Sequence, residues 1–454
     1  MKLLIKGGLV VDPASGVHGP RDVLVEDGRI ARVDASLPAN GAQVIDVPKG
    51  WIVCPGLIDM HVHLREPGQE HKETVATGCA AAVAGGFTAV ACMPNTDPIN
   101  DQASVTELIL RRAVEAGLAR VYPIGAVSRG SRGEQMADIG ELHTAGCVAV
   151  SDDGRPVATA LLMRRALEYA GMFGMPVIDH CEDPSLKADG VANEGHQASL
   201  LGLRGIPAAA EAIMVERDVT LAELTKSAVH IAHMSVSGSL RAIRDGKTRG
   251  APVTCEVAPH HFTLTDDALA GIASPGGRGL AYDTNAKMNP PLRDAADRDA
   301  MIQGLADGSI DAIATDHAPH HYDEKEVEFD LAPFGIVGLE TAVSLVFDRL
   351  VHAGHINISR MIELLSVNPA RILRVEGGTL AAGARADVTL LAPDLPVIIA
   401  AARFRSKSKN TPFDGWNLRG GVGATIIDGR IVYVNADAPG AANFSRELES
   451  ARRA

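Results

Sequence analysis

The segment Asp59-Met-His-Val-His-Leu-Arg carries His61 and His63 two residues apart in an apolar run, with Arg65 two further on. Alternate side chains of an extended strand share a face, so the two imidazoles point the same way and are able to grip one ion. A lone His-x-His pair is weak evidence, because single histidines are more often core or surface residues than ligands. The pair gains force from its company: His180, His233, Asp153 and Asp316 each stand at or just after another apolar run. Four imidazoles and two carboxylates exceed what one tetrahedral zinc needs, whereas two ions sharing a carboxylate use them all. The expected partition is His61, His63 and Asp316 on one ion and His180 and His233 on the other, with Asp153 bridging. Zinc suits imidazole ligands best, with manganese or cobalt as substitutes.

The runs that must position these groups are 52–64, 88–93, 121–127, 147–151, 176–180, 229–233, 253–257 and 312–315. Helix-length segments separate most of them, among them 105–116, 158–169 and 208–215, which carry helical spacing. This alternation predicts an α/β protein with a (β/α)8 TIM-like barrel. Barrel active sites collect at the C-terminal ends of the strands, which is where the polar residues fall; the third run, ending near Ser128 and Arg129, is the least telling. At both ends of the chain shorter β runs take over: 3–11, 22–26 and 28–33, then 386–392 and 424–435. The pairs Asp27-Gly28 and Asp428-Gly429 mark hairpin turns. Neither end buries a sheet face alone, so the two are expected to combine into one small β-sandwich. The expected domains are 1–54 for its first part, 55–370 for the barrel and 371–454 for its second part and tail.

At 454 residues with 46% apolar and 22% charged side chains, the chain has the composition of one large folded core with a small appendage. A net charge of -13 disfavours nucleic acid or an anionic membrane as partner, because phosphate binding needs clustered lysine and arginine. No apolar run approaches the roughly 20 residues of a membrane span, and the start lacks the apolar core of a signal peptide. The six cysteines show no C-x-x-C spacing and read as reduced, buried thiols of a cytoplasmic protein.

The string Asp59-Met-His-Val-His-Leu-Arg-Glu-Pro-Gly68 resembles dihydroorotases of the class I bacterial type, in the amidohydrolase superfamily. So do Met93-Pro-Asn-Thr96, Ser151-Asp-Asp-Gly154, Asp179-His-Cys-Glu182, His233-Met-Ser235, Met288-Asn-Pro-Pro-Leu-Arg293, Thr315-Asp-His-Ala-Pro-His320 and Pro333-Phe-Gly335. The resemblance spans nearly the whole chain. Dihydropyrimidinases and hydantoinases, the neighbouring families, bridge their metals with a carboxylated lysine after the fourth strand. Here that place reads Val150-Ser-Asp-Asp153, and no lysine lies between Lys72 and Lys187.

The resemblance implies two zinc ions per chain, joined by Asp153 and a hydroxide, and reversible cyclisation of N-carbamoyl-L-aspartate to L-dihydroorotate in pyrimidine synthesis. Arg65 faces the same way as His63 and is the natural clamp for a substrate carboxylate, against the blander reading of an ion pair with Glu66 or Glu70. By resemblance, Asn95 and His320 join it, Asn289 meets the ring, and the backbone at Phe334 and Gly335 supplies further contacts. His63 touches both ion and substrate. Asp316 is the expected proton shuttle, able to reach a metal and the attacking water together. Further partners implied are another copy of the chain or aspartate transcarbamoylase. The alternatives are another cyclic amidohydrolase (dihydropyrimidinase, hydantoinase or allantoinase) and a non-catalytic subunit supporting the transcarbamoylase.

Several conspicuous residues are expected to do less. Cys181 should point away from the His180 face; His260 and His261 read as support or packing; His317 orients Asp316 or caps its loop. The segment 274–280, rich in glycine, reads equally as a lid or a plain surface loop. The basic cluster 403–409 reads as a solvated connection rather than an anion site.

Overall fold

In the computed structural model, which describes residues 2–272, 279–442 and 444, eight parallel strands follow one another in space as they do in sequence. They are β1 (Leu57–Val62), β2 (Phe87–Cys92), β3 (Arg120–Gly125), β4 (Ala149–Val150), β5 (Val177–Asp179), β6 (Val229–Ile231), β7 (Val253–Val257) and β8 (Ala312–Ile313). The ring closes just beyond the strands, where Val62 bridges His317 and the His63 N–H donates to the His317 carbonyl at 2.8 Å. Helices such as Ala103–Ala116, Ala160–Met172 and Ala208–Thr225 lie between the strands, as the spacing predicts. Ala160–Met172 starts later than the periodicity suggests because the Thr159 side chain accepts the Leu162 N–H and caps it there.

The barrel interior holds one apolar layer built from Met60, Ala91, Ile124, Ala149, Ile178, Ala232 and Ala312, sealed below by Leu373 of the helix Asn368–Leu373. Alanines dominate because side chains from all sides meet near the axis. Strand β7 contributes no apolar residue to this layer. Cys255 and Val257 face the helices, so Glu256 between them points inward, buried. In β1 the pairing register shifts between Asp59 and Val62. The shift lets Met60 join the floor while His61 and His63 face the mouth, and Val62 and Leu64 pack outward.

The run 52–64, expected to be one strand, is two. Ile52–Pro55 pairs with the terminal strands and Leu57–Val62 with the barrel, separated by Gly56. A Cβ at Gly56 would lie 2.2 Å from Thr88 Oγ1, so only glycine allows the chain to pass from one sheet to the other there.

The ends of the chain combine as expected, and their strands are hydrogen-bonded into one continuous sheet. Its order is Arg430–Val434, Asn417–Ile427, Val388–Ile398, Ile52–Pro55, Lys2–Asp12, Val17–Glu26, Arg29–Asp34, with Gln43–Asp46 also on Lys2–Asp12. Both hairpin signals form turns: Asp27 and Gly28 have φ of 48° and 77°, and Asp428 and Gly429 have 50° and 73°. Ala386 joins the two tips, donating to Gly28 O and accepting from the Gly429 N–H, each at 2.9 Å. The sheet thereby wraps one core that includes Ile5, Val25, Ile45, Leu390 and Ile426. Among the described residues no helix is long and apolar enough to cross a membrane.

Candidate metal centre and substrate cavity

The six side chains singled out as ligands converge over the C-terminal ends of β1, β4, β5, β6 and β8. His61 Nε2, His63 Nε2 and Asp316 Oδ1 form one group; the Asp316 oxygen lies 3.6 Å and 3.2 Å from the two nitrogens. His61, Asp153 and His233 form a second group. Asp153 stands between them: Oδ1 is 3.4 Å from His61 Nε2, 3.5 Å from His233 Nε2 and 3.7 Å from His180 Nδ1, while Oδ2 is 3.6 Å from His63 Nε2. His180 Nδ1 and His233 Nε2 approach to 3.0 Å. Two of the positions have left-handed backbone, His233 at φ 28° and Asp316 at φ 49°. Such strain in non-glycine residues is characteristic of sites that dictate side-chain direction.

These donors fit a divalent cation. His61 Nε2 and Asp153 Oδ1 are both buried, have no hydrogen-bond partner and face each other. Burying such atoms unsatisfied is costly, and imidazole nitrogen with carboxylate oxygen is the donor set of borderline metals. The electrostatics agree. Burial works against a charged His180, but the Asp153 and Glu182 carboxylates outweigh it and push the imidazole up to about 10. The excess negative charge that holds this proton is what a bound cation would neutralise.

Neighbours that the sequence did not single out fix these ligands. Burial opposes ionisation of Glu256, yet His230 and His61 bring it down to about 2. As an ionised acceptor it takes the His61 Nδ1–H at 2.8 Å, leaving the Nε2 lone pair facing the carboxylates. Its other oxygen lies 3.2 Å from His230 Nε2. The one legible signal was a glutamate inside the apolar strand Val-Thr-Cys-Glu-Val. Asn95 Oδ1 likewise accepts the His63 Nδ1–H at 2.8 Å, a ligand-orienting contact in addition to its place in the cavity wall. Glu182 Oε2 lies 3.6 Å from His180 Nε2 and 2.8 Å from Lys187 Nζ. Asp152, beside Asp153, accepts the Val127 and Ser128 N–H groups at 2.9 Å and 3.1 Å, which is what the uninformative end of the third run contributes.

Above the ligands opens a cavity of about 510 Å³. Arg65, Asn95, Asn289, His320, Phe334 and Gly335 all line it, together with Arg155 and Lys187, which sequence reasoning did not anticipate. Arg65 is buried, and Nε donates to Pro319 O at 3.2 Å. Neither expected rival partner takes it: Glu66 pairs with Arg112 at 3.1 Å, and Glu70 accepts the Gly68 N–H. Burial pulls Arg65 down only to about 10, so it remains a cation at neutral pH. Nη2 lies 3.5 Å from His320 Nε2, which burial and the Arg65 charge keep neutral and which meets Phe334 O at 2.8 Å. Asn289 Nδ2 lies 3.2 Å from Glu182 Oε2, and Oδ1 is buried without a partner. The Gly335 N–H donates to Lys287 O at 2.9 Å and its carbonyl accepts from Asn410, so the backbone contact expected there is already engaged within the protein.

The remaining conspicuous residues fall outside the ligand groups. Cys181 Sγ points to Asp179 and Asp218 at 3.5 Å and 3.4 Å, away from the cavity. Burial holds its thiol protonated. His261 Nε2 meets Pro290 O at 3.0 Å. His317 does not orient Asp316; its Nδ1 accepts the Gly338 N–H at 3.1 Å and its Nε2 lies 3.4 Å from Glu73. Residues 274–278 of the glycine-rich segment lie outside the described residues. The cluster 403–409 is docked rather than merely solvated: the Lys407 N–H donates to Glu73 at 3.0 Å, and the Arg405 N–H to Glu340. All six cysteines are free thiols and buried.

Residues 50–239 match the protein family described as Dihydro-orotase-like. A dihydroorotase of Pelotomaculum thermopropionicum is 56% identical over 432 residues, covering 95% of this chain and 98% of that protein. A dihydroorotase of Pelobacter propionicus is 54% identical over 434 residues, with coverage of 95% and 100%. Among solved structures, L-hydantoinase (dihydropyrimidinase) from Arthrobacter aurescens aligns with a TM-score of 0.81 at 23% identity, over 96% of this chain and 97% of that one. Dihydropyrimidinase from Brevibacillus agri gives 0.80 at 23%, over 98% and 97%. Likeness at that identity establishes the shared fold alone.

Proposed function

Because the chain belongs to the dihydroorotase family, we propose that the cavity over its strand ends binds N-carbamoyl-L-aspartate and L-dihydroorotate and interconverts them. The protein is a hydrolase of cyclic amides acting in pyrimidine synthesis. Full-length identity above one half to dihydroorotases, against 23% to the hydantoinase structures, sets aside both the hydantoinase alternative and a silent subunit. The observation that carries the site assignment is the meeting of three imidazoles and two carboxylates in two overlapping groups, which His180 joins through His233 and Asp153, beside a buried arginine with no carboxylate partner among the described residues.

In this reading His61, His63 and Asp316 hold one zinc ion, His180 and His233 a second, and Asp153 lies between them. Bound there, the pair would polarise the amide carbonyl and lower the pKa of water. Arg65 forks onto the substrate carboxylate, with Asn95 and His320 beside it, while Asn289 and the Phe334–Gly335 wall flank the ring. In ring opening, Asp316 accepts the proton of the attacking water and passes it to the leaving ring nitrogen. Ring closure is the reverse and begins with Asp316 protonated. Burial opposes the charged form of Asp316, but His63 and His61 hold its carboxyl well below the usual range, so it enters ring opening ionised. The expected setting is the cytoplasm, in keeping with six unpaired, buried thiols. A homo-oligomer or an association with aspartate transcarbamoylase is expected from the family resemblance, and sizing the chain with and without that enzyme tests it.

The deciding experiment assays both directions on purified, metal-analysed protein, wild type and Asp316→Asn. Two zinc ions per chain, turnover of both compounds and loss of both directions in a variant that keeps its metals are expected. One ion at full activity, with His180→Ala and His233→Ala still active, would overturn the binuclear assignment. An Asp316→Asn enzyme within a few-fold of wild type would remove Asp316 as the shuttle.

A further inference from the structure

Ala318 and His320 line the cavity from one strip of chain, Phe334 and Gly335 from another. The strips touch: a Cβ on Gly335 would lie 2.5 Å from Ala318 Cβ, and the Ala318 N–H donates to Ile336 O at 2.7 Å. One buried side chain from the C-terminal part of the sequence holds both. Asn410 Nδ2 donates to Ala318 O and to Gly335 O, each at 3.2 Å, and Oδ1 accepts the His320 N–H at 3.1 Å. Its backbone carbonyl accepts the Val337 N–H at 2.9 Å. Carbonyls only accept and an N–H only donates, so these partners dictate which way the amide points.

The stretch leading to Asn410 is anchored on the loop that carries Arg65. Ser406 Oγ and the Lys407 N–H donate to the buried Glu73, the latter at 3.0 Å, and Ser408 Oγ donates to Lys72 O at 2.6 Å. Arg65 in turn grips the strip that Asn410 holds. Its Nε donates to Pro319 O at 3.2 Å, between Ala318 and His320, and Nη2 lies 3.5 Å from His320 Nε2. The loop after β1, the loop after β8 and the Phe334–Gly335 wall are thus tied together through one amide.

We propose that Asn410 is a positioning residue for substrate binding: by locking the two strips together it sets His320 beside Arg65, where the carboxylate shared by both compounds binds. This inference rests on the function proposed above. Among side chains of this length only asparagine combines two donors with an acceptor, so neither aspartate nor serine replaces all three bonds.

Kinetics in both directions on metal-analysed protein test it. The shared carboxylate is held alike before and after reaction, so Asn410→Ala removes uniform binding. KM for N-carbamoyl-L-aspartate and KM for dihydroorotate should rise by one factor, about three- to tenfold, the scale of a weakened hydrogen bond, with kcat and metal content unchanged. Asn410→Asp keeps the shape and the acceptor but sets a carboxylate against two carbonyls, so its rise should be at least as large. A residue acting through His320 loses its effect once that imidazole is gone. In a His320→Ala background Asn410→Ala should therefore cost less than about twofold, whereas in an Asn289→Ala background it should cost its full factor. Wild-type KM values in both variants, a loss carried by kcat, or the same factor in both backgrounds would overturn the role of Asn410 while leaving the reaction intact. A wild-type chain that turned over neither compound would instead overturn the functional reading, and this inference with it.

Discussion

Glu256 Oε1 lies 2.8 Å from His61 Nδ1, although the two residues are 195 positions apart. The glutamate occupies the place in the barrel layer that seven other positions fill with apolar side chains. An ionised carboxylate at Nδ1 fixes the tautomer, the ring orientation and the basicity of Nε2. Glu256→Gln should therefore lower metal affinity about 10- to 100-fold, with activity restored by excess zinc. Competition against a chelator of known affinity measures this, and unchanged affinity would reduce Glu256 to a packing group.

Asp153 reaches both ligand groups with its two oxygens, and the sequence has no lysine between Lys72 and Lys187 to take its place. Metal content and activity should then be independent of dissolved carbon dioxide. Stripping the enzyme and reconstituting it in bicarbonate-free buffer is the check. Activity regained only on adding bicarbonate would place the bridge elsewhere.

Arg65 spends Nε on Pro319 O and directs the rest of its guanidinium into the cavity. Arg65→Lys supplies the charge without the fork, so kcat/KM should fall about 10- to 100-fold in both directions. Wild-type kinetics in that variant would make Arg65 a structural residue.

Two lysines staple the cavity wall from behind. Lys325 Nζ donates to Thr284 O at 3.0 Å and Pro333 O at 2.7 Å, and Lys287 Nζ to Phe329 O at 2.7 Å. Burial pushes Lys325 down to about 7, whereas an unfolded lysine holds its proton to about 10.4. Between those values unfolding takes up a proton, so the contribution of this group to stability grows as pH rises from about 7 to 10. Lys325→Met should flatten that rise. Denaturation midpoints of both proteins at pH 7 and 9.5 test it; parallel shifts would mean that the carbonyls keep the ammonium charged throughout.

The candidate metal ligands were legible because their signals are local. A strand period of two places His61 and His63 together, and a polar residue ending an apolar run marks a barrel mouth. The hairpins were legible for the same reason, since Asp-Gly encodes its own left-handed turn at residues 27–28 and 428–429. Run 52–64 misled because hydrophobicity does not say which sheet a strand joins; the contact of Gly56 with Thr88 decides that, 32 residues away.

By itself the sequence determined the barrel, its catalytic end and which side chains could take a metal, all properties of spacing and chemical type within a few residues. Only the tertiary structure decided what supports them. The register shift in β1 turns His61 toward the mouth above Met60, and the phase of β7 turns Glu256 inward to meet it. The ring closure that pairs Val62 with His317 gives that histidine to Glu73 and Gly338 rather than to Asp316. Each of these depends on pairing between strands distant in sequence, where a shift of one residue would send the same side chain to the opposite face.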